Sequence, residues 1–170
     1  MKKTFYLPLA CAPAVHKPFS DTKEEYDIGF IGNATYPDRS ILLEILKCHF
    51  KVLITNTAPG VEYSKMLSKC RFAFNRSMDR DVNMRFFEAI AIGKLLFTDY
   101  LPAQAELAED GKHYIAYKNS QDLVQKVKYY LAHKEEAKKI ASAGSAFVRA
   151  DHTYKDRLLR VLAKFGWTKF

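Results

Sequence analysis

One carboxylate stands inside an otherwise apolar stretch of this sequence, and its surroundings suggest chemistry. Residues 82–92 place apolar side chains on nearly every side of the helix that their spacing predicts, which is typical of a buried helix. Glu88 lies within this segment, and a buried carboxylate is costly unless it is paired or hydrogen-bonded. Arg85, one turn back, could form an ion pair with it. Alternatively, Glu88 lies near a pocket and accepts hydrogen bonds from ligand hydroxyls, and the spacing leaves both interpretations open.

A second candidate site is the pair Gly32 and Asn33, between a predicted strand and a predicted helix. Small residues there let backbone N–H groups approach a phosphate, and the helix N-terminus favours its negative charge. Arg39, in the first turn of the following helix, could reach a diphosphate. The same residues also fit an ordinary tight turn and a solvated arginine, because the segment is neither GxGxxG nor a Walker loop.

The elements that must position these residues alternate between strands and helices. Asp81 can cap the helix that carries Glu88, and Gly93 suits its end. From Ser120, which can cap the next helix, the chain is helical. Short apolar runs predict buried strands at residues 26–31, 51–55, 71–75, 94–98 and 113–117. This alternation predicts an α/β fold with a Rossmann-like, doubly wound parallel sheet covered on both faces.

Polar residues follow several of the predicted strands. They lie at residues 32–33, 75–77 and 98–99, and the second group opens a longer polar loop that reaches Asp81. Parallel sheets bind ligands at the carboxyl ends of their strands, near a topological switch point. The sequence therefore predicts a common cleft built from these loops.

Composition excludes several classes of protein. The 170 residues are 48% hydrophobic and 27% charged, as in one globular domain. A net charge of +8 favours anionic partners, but the basic residues are scattered, so no specific nucleic-acid partner is predicted. No apolar stretch approaches the roughly 18 residues of a membrane span, so no transmembrane segment is expected.

Cysteine and histidine usage gives further expectations. The three cysteines show no CxxC spacing, which favours reduced thiols and a cytoplasmic protein. None of the five histidines has a second ligand four residues away, so no metal site is predicted. His16, in a lead-in bounded by prolines, is expected to be an ordinary loop histidine.

Several segments together resemble a known family. They include Tyr-Asp-Ile-Gly-Phe-Ile-Gly-Asn at 26–33, Asp-Val-Asn-Met-Arg-Phe-Phe-Glu-Ala at 81–89 and Gly-Lys-Leu-Leu-Phe-Thr-Asp at 93–99, with further likeness at 6–13 and 152–157. These segments are similar to the C-terminal half of group 1 glycosyltransferases, and most similar to the branch of spore-maturation glycosyltransferase-like proteins. The resemblance covers essentially the whole chain.

The resemblance implies a single GT-B C-terminal-type domain that binds a nucleotide-sugar donor, with no cofactor and usually no metal. It implies that Glu88 holds the ribose hydroxyls and that Gly32 and Asn33 lie beside the diphosphate, with Arg39 as a further diphosphate contact. It also implies that the helix start, with Val82, Asn83 and Met84, turns its backbone amides towards the sugar and the distal phosphate.

Two departures from the family pattern affect these expectations. Many group 1 enzymes carry a glutamate eight positions before the ribose glutamate, where this sequence has Arg80. The second departure is that the family's N-terminal domain has no counterpart in this sequence, because the resemblance assigns residues 1–25 to a lead-in or interdomain segment and residues 26–170 to the C-terminal-type domain. The N-terminal acceptor domain is therefore expected as a partner, in cis or in trans. The alternative interpretation is a non-catalytic nucleotide-binding or partner module that kept the fold.

Overall fold

One parallel sheet forms the centre of the protein, for which a computed structural model describes residues 5–19, 21–78 and 81–167. The strands are β1 (Tyr26–Ile31), β2 (Val52–Thr55), β3 (Cys70–Phe74), β4 (Leu95–Asp99) and β5 (Ile115–Tyr117). Their spatial order is β2-β1-β3-β4-β5, and each neighbouring pair is parallel. The predicted α/β, doubly wound, Rossmann-like fold is confirmed, with strand bounds that differ from the predicted ones by two residues at most.

Helices connect and follow the strands. Within the described residues they are α1 (Pro37–His49), α2 (Val61–Ser68), α3 (Met84–Ala91), α4 (Pro102–Ala105), α5 (Ser120–Ala132), α6 (Lys134–Asp151) and α7 (Tyr154–Lys164). None of the helices described is long and apolar enough to cross a membrane.

Apolar side chains cover both faces of the sheet. Alternate residues of one strand point to opposite faces, so Phe72 and Phe74 of β3 pack in one cluster while Ala73 packs in the other. The cluster that contains Phe72 and Phe74 also includes Leu43 from α1 and Leu123 from α5. The cluster that contains Ala73 includes many residues of α3. Burial on both faces explains why β4 is apolar at Leu95, Leu96 and Phe97 in succession.

Two predicted helix caps are wrong by one or two residues. The helix carrying Glu88 begins at Met84, so Asn83 and not Asp81 is its N-cap. Asp81 instead donates its backbone N–H to the carbonyl of Met78. For α5 the cap is Asn119, whose side chain accepts from the N–H of Asp122, and Ser120 is already helical. Gly93, with a φ of +83°, ends the helix region as predicted.

The lead-in is tied to the last helices rather than lying free. Cys11 donates its N–H to the carbonyl of His152 and accepts from the N–H of Tyr154, each at 3.0 Å. Arg157 reaches back to the carbonyls of Pro8 at 3.0 Å and Leu9 at 3.3 Å. These bonds hold the lead-in against the domain beside α3, and Ala10 and Cys11 are buried there.

Candidate functional site

A cleft of about 430 Å³ opens where β1 and β3 end, beside the start of α3. It lies at the switch point of the sheet, because the chain leaves β1 towards β2 on one side and β3 extends the sheet on the other. The cleft brings together five of the six predicted site residues, and Gly32 adjoins it. Its lining comprises Ile31, Asn33, Tyr36, Arg39, Met78, Asp81, Asn83, Met84, Arg85 and Glu88.

Gly32 makes room for an arginine. Its φ of +146° is a conformation that side chains disfavour, and a Cβ at this position would overlap the guanidinium of Arg85. Its own N–H is already bonded to the carbonyl of Thr55 at 2.8 Å. Gly32 therefore shapes the cleft by its lack of a side chain.

Asn33 shapes the loop that follows β1. Its Oδ1 accepts from the N–H of Thr35 at 2.9 Å and from the Thr35 hydroxyl at 2.7 Å, which closes a local turn. Its carbonyl oxygen accepts from Nη1 of Arg39 at 2.6 Å. The loop is thus held both by its own turn and by the first helix.

Arg39 is a buried clamp and not a solvated arginine, so that alternative is wrong. Only 3% of the residue is exposed, and its Nη2 donates to the carbonyl of Arg76 at 2.8 Å. Its guanidinium carbon lies 5.2 Å from the ring centre of Phe30 and 5.4 Å from that of Tyr36. Burial lowers the Arg39 pKa, and the nearby Arg85 charge lowers it further. The clamp joins the loops after β1 and β3 on the floor of the cleft.

Arg85 and Asn75 form a second brace that sequence reasoning did not assign. Arg85 donates from Nε to the carbonyl of Ile31 at 2.9 Å and from Nη1 to the side-chain oxygen of Asn75 at 2.7 Å. Asn75 is fully buried and donates its amide to the hydroxyl of Thr98 at 3.1 Å. The position of Asn75 directly after a buried strand was the available signal, since polar residues there face a cleft.

Glu88 lines the cleft, with its side chain 18% exposed. Burial raises its pKa, and the positive charge of Arg85 opposes that rise. Among the described residues no ion pair joins Arg85 to Glu88, because the guanidinium is bonded to Ile31 and Asn75 instead. The ion-pair interpretation of Arg85 and Glu88 is therefore wrong as a direct contact, and Arg85 affects Glu88 only through its electric field.

Among the described residues, the basic side chain closest to the Glu88 carboxylate comes from the lead-in. His16 places its Nε2 3.5 Å from Oε1 of Glu88, and only 8% of His16 is exposed. The expectation of an ordinary loop histidine is wrong. Proline spacing in the lead-in gives no hint of this contact, since it depends on how residues 8–16 run along the folded domain.

The start of α3 presents backbone N–H groups without a side-chain cap. Asn83 is the N-cap residue, but its amide nitrogen donates to the side-chain oxygen of Asn75 at 3.2 Å. Met84, the first helical residue, is 47% exposed at the cleft. An uncapped helix start carries partial positive charge and favours an anion. Asp79 and Arg80 lie outside the described residues, so the departure at Arg80 is not placed.

Unpartnered polar atoms collect around this cleft. Within the part of the chain that the structure describes, five side-chain atoms are buried without a hydrogen-bond partner. Three belong to this region, Arg39 Nε, Ser77 Oγ and Asn83 Oδ1, and the other two are Gln104 Oε1 and the Tyr114 hydroxyl. Arg39 and Ser77 line one adjoining recess of the cleft, and Asn83 lines the main part. Buried groups of this kind are costly, so their concentration at one cleft is typical of a place where a polar ligand completes the bonding.

The profile of the glycosyl transferase-like family matches residues 14–163 of this chain. No curated protein sequence shows significant similarity to it.

Among solved structures, the chain is similar to the C-terminal domain of the group 1 family glycosyl transferase LpcC from Francisella tularensis, at 15% identity and a TM-score of 0.66 over 85% of this chain and 100% of that one. It is also similar to Anabaena HepE in complex with UDP-glucose, at 15% identity and a TM-score of 0.65 over 82% of this chain and 40% of HepE. A third match is sucrose-phosphate synthase from Thermosynechococcus elongatus, at 10% identity and a TM-score of 0.69 over 94% and 51% of the two chains. The chain thus spans 40% of the length of HepE and 51% of the length of the synthase. These likenesses establish a GT-B C-terminal-type fold.

Proposed function

The chain belongs to the glycosyl transferase-like family, and we propose that it binds a nucleoside-diphosphate sugar as the donor-binding domain of a GT-B glycosyltransferase. The observation that carries the proposal is Glu88, a largely buried carboxylate that lines a cleft at the sheet's switch point. A ribose presents two adjacent hydroxyls, and one carboxylate can accept a hydrogen bond from both. The complex of HepE with UDP-glucose supports a donor of this class.

Electrostatics of the cleft suit the rest of such a donor. Arg39 and Arg85 bring two guanidinium groups to the cleft, and the loop at Asn33 lies against one of them. A diphosphate carries negative charge that this field attracts. The uncapped start of α3, at Asn83 and Met84, faces the same space and can hold the distal phosphate or the sugar.

The reaction we propose is transfer of the sugar to an acceptor hydroxyl. The bond between the anomeric carbon and the phosphate oxygen breaks, and its electron pair leaves on the nucleoside diphosphate. The acceptor oxygen forms the new bond to the anomeric carbon, and its proton is released to water. The α3 start and the two arginines stabilise the charge that grows on the leaving diphosphate, which is electrostatic catalysis by fixed dipoles and charges.

We further propose that a second, N-terminal-type domain, in cis or in trans, supplies the acceptor side of the cleft. The proposed cleft is open at the carboxyl edge of the sheet, where α3 begins and where Met84 is exposed. The cysteine usage supports a cytoplasmic location. The closer likeness to the spore-maturation branch and the absence of a metal requirement stay predictions.

A non-catalytic nucleotide-binding module is the second candidate, and Arg80 favours it. At that position many group 1 enzymes have a glutamate that contacts the donor sugar. The two candidates differ in turnover, because both bind a nucleoside diphosphate. Release of UDP or GDP from the corresponding nucleotide sugars, with an N-terminal-type partner present, would favour the enzyme.

Calorimetric titration with UDP, GDP and ADP tests donor binding directly. We expect one of the three to bind, and its 2′-deoxy analogue to bind about tenfold more weakly, since a hydrogen bond to a charged group contributes about 1.5–3 kcal/mol. The matching nucleoside without phosphates is the control for the diphosphate contribution. Failure of all three diphosphates to bind would overturn the proposal.

A further inference from the structure

His16 offers a defined hydrogen-bond donor next to Glu88. The Nδ1 atom of His16 accepts from the backbone N–H of Ala12 at 3.0 Å. In the neutral ring the proton must then lie on Nε2, because one imidazole nitrogen accepts and the other donates. Burial lowers the His16 pKa, so the neutral form is the one favoured inside the protein. The result is a single N–H group, at Nε2, on the side of the ring that lies 3.5 Å from Glu88.

This donor is held by three parts of the fold. The backbone N–H of His16 donates to the carbonyl of Ala12 at 2.7 Å, and the carbonyl of His16 accepts from Arg149 of α6 at 3.1 Å. The edge of the His16 ring meets Tyr63 of α2, with ring centres 6.1 Å apart. The imidazole is therefore fixed relative to α3, even though the described residues of the lead-in form no helix or strand.

Glu88 is the group that this donor meets. His16 Nε2 lies 3.5 Å from Oε1 of Glu88, and no other side chain of the described residues is placed within ion-pair distance of that carboxylate. A glutamate has several rotatable bonds, so an unsupported carboxylate would lose conformational freedom when a ligand binds. Each carboxylate oxygen has two lone pairs, so an N–H group beside Oε1 leaves acceptor capacity for a ligand.

We propose that His16 is a positioning residue that orients the Glu88 carboxylate for the hydroxyls of a nucleoside diphosphate, an inference that rests on the proposed function. The lead-in thereby becomes part of the donor site although it does not line the cleft. His16 touches no ligand itself; it sets the rotamer of Glu88 and reduces the ordering that binding requires. Its removal should weaken nucleotide binding more than it weakens the fold.

His113 provides a matched control within the same chain. Its Nδ1 accepts from the backbone N–H of Glu109, again four residues upstream, at 3.1 Å, and it is also 8% exposed. Burial lowers its pKa as well. Its ring stacks on Phe147 at 4.2 Å, away from Glu88. The two histidines therefore share burial and backbone bonding and differ in whether a cleft carboxylate faces them.

The experiment compares H16F, H16Q and H113F in the full chain, with UDP, GDP and ADP affinity measured by calorimetry and stability by thermal melting. We expect H16F to weaken binding about tenfold, and H113F to lower the melting temperature comparably without changing affinity. H16Q, whose amide can again donate to Glu88, should recover most of the affinity. In an E88Q background, H16F should add little further loss.

Two results would overturn the inference. One is unchanged nucleotide affinity in H16F while E88Q binds more weakly, which would leave the donor role of Glu88 intact and remove His16 from it. The other is an H16F loss of the same size in the E88Q background, which would show that His16 acts independently of Glu88. Failure of the wild type to bind any of the three diphosphates would instead remove the proposed function itself.

Discussion

The guanidinium of Arg85 donates a 2.7 Å hydrogen bond to the side-chain oxygen of Asn75 and so joins the start of α3 to the end of β3. The same guanidinium donates to the carbonyl of Ile31 at the end of β1. One side chain thus links β1 and β3, the two neighbouring strands at the switch point of the sheet. Since Asn75 also accepts from Asn83, the helix start and both strand ends are fixed as one unit. A cleft with this support can be organised before a ligand arrives.

Substitution of Glu88 by glutamine separates a ligand role from a structural role. E88Q should weaken binding of the preferred nucleoside diphosphate about ten- to a hundredfold, because a neutral amide accepts hydroxyl protons less strongly and through one oxygen only. Its melting temperature should stay close to that of the wild type or rise, since burial raises the Glu88 pKa and thus disfavours the charge. Calorimetry and melting curves measure both. The control is E44Q, on the exposed side of α1, which should leave nucleotide affinity unchanged. Equal nucleotide affinities in E88Q and the wild type would show that Glu88 does not contact the ligand.

Replacing Gly32 by alanine tests the contact between the first loop and Arg85. The added Cβ would overlap the guanidinium of Arg85, and the φ of +146° is strained for alanine. We expect a loss of about 2–4 kcal/mol in the free energy of unfolding, measured by urea titration, together with weaker nucleotide binding. G111A is the matched control, because Gly111 has a φ of +79° but a Cβ added there would meet no atom within 4 Å, so only backbone strain of about 1–2 kcal/mol should appear. Equal losses in the two variants would argue against the role of the Arg85 contact.

Lysine at position 39 should not replace the arginine clamp. Arg39 holds the carbonyls of Asn33 and Arg76 with two separate nitrogens, a geometry that a single ammonium group does not reproduce. We expect R39K to lose about 3 kcal/mol of stability. Amide hydrogen exchange should also become faster in the loop at residues 33–36. The comparison variant is R71K, whose side chain is 41% exposed and should change stability by less than about 0.5 kcal/mol. A fully stable R39K would contradict the clamp.

Acid should destabilise the protein partly through His152. Burial and the neighbouring Arg157 lower the pKa of His152 to about 4, from an ordinary value of 6.5. Between these two pH values the unfolded chain binds a proton that the folded chain does not, so stability falls as pH falls from about 6.5 to about 4. Above that range the histidine is neutral in both states and makes no such contribution. We expect about 3 kcal/mol from this group over the range, at about 1.4 kcal/mol per pKa unit.

Urea titrations of wild type and H152F between pH 7 and about pH 4 measure this effect. Phenylalanine keeps a ring against Phe87, which His152 stacks on at 5.5 Å, but it cannot titrate. Its stability should therefore depend less steeply on pH than that of the wild type. His16 and His113, whose pKa values are also lowered by burial, act in the same direction in both proteins and cancel in the difference. H49F, at an exposed position, is the control, and a pH slope in H152F equal to that of the wild type would contradict the prediction.

Local sequence patterns were enough to predict the strands and most helices. Apolar runs such as the one ending at Thr98 indicate burial on both faces, and alternation with helices then restricts the sheet to a parallel, doubly wound form. The switch-point cleft followed from the same argument, since Asn33 and Asn75 each stand at the end of a buried strand. Glu88 could be identified from the sequence because a carboxylate in a buried helix is costly unless a partner or a ligand forms hydrogen bonds with it.

Side-chain partners were decided only by the tertiary structure. From spacing, Arg85 was the natural partner of Glu88, yet in the fold its guanidinium lies closer to the acceptors at Ile31 and Asn75, which come from 54 and 10 residues away in the chain. His16 reaches Glu88 from a distant part of the chain because the lead-in is pinned beside α3 by bonds to the last helices. The periodicity of apolar residues shows which face of an element gains free energy by burial, and the sequence alone encodes this periodicity. A side-chain hydrogen bond instead depends on where two distant segments meet, and their positions are fixed only when the whole chain is packed.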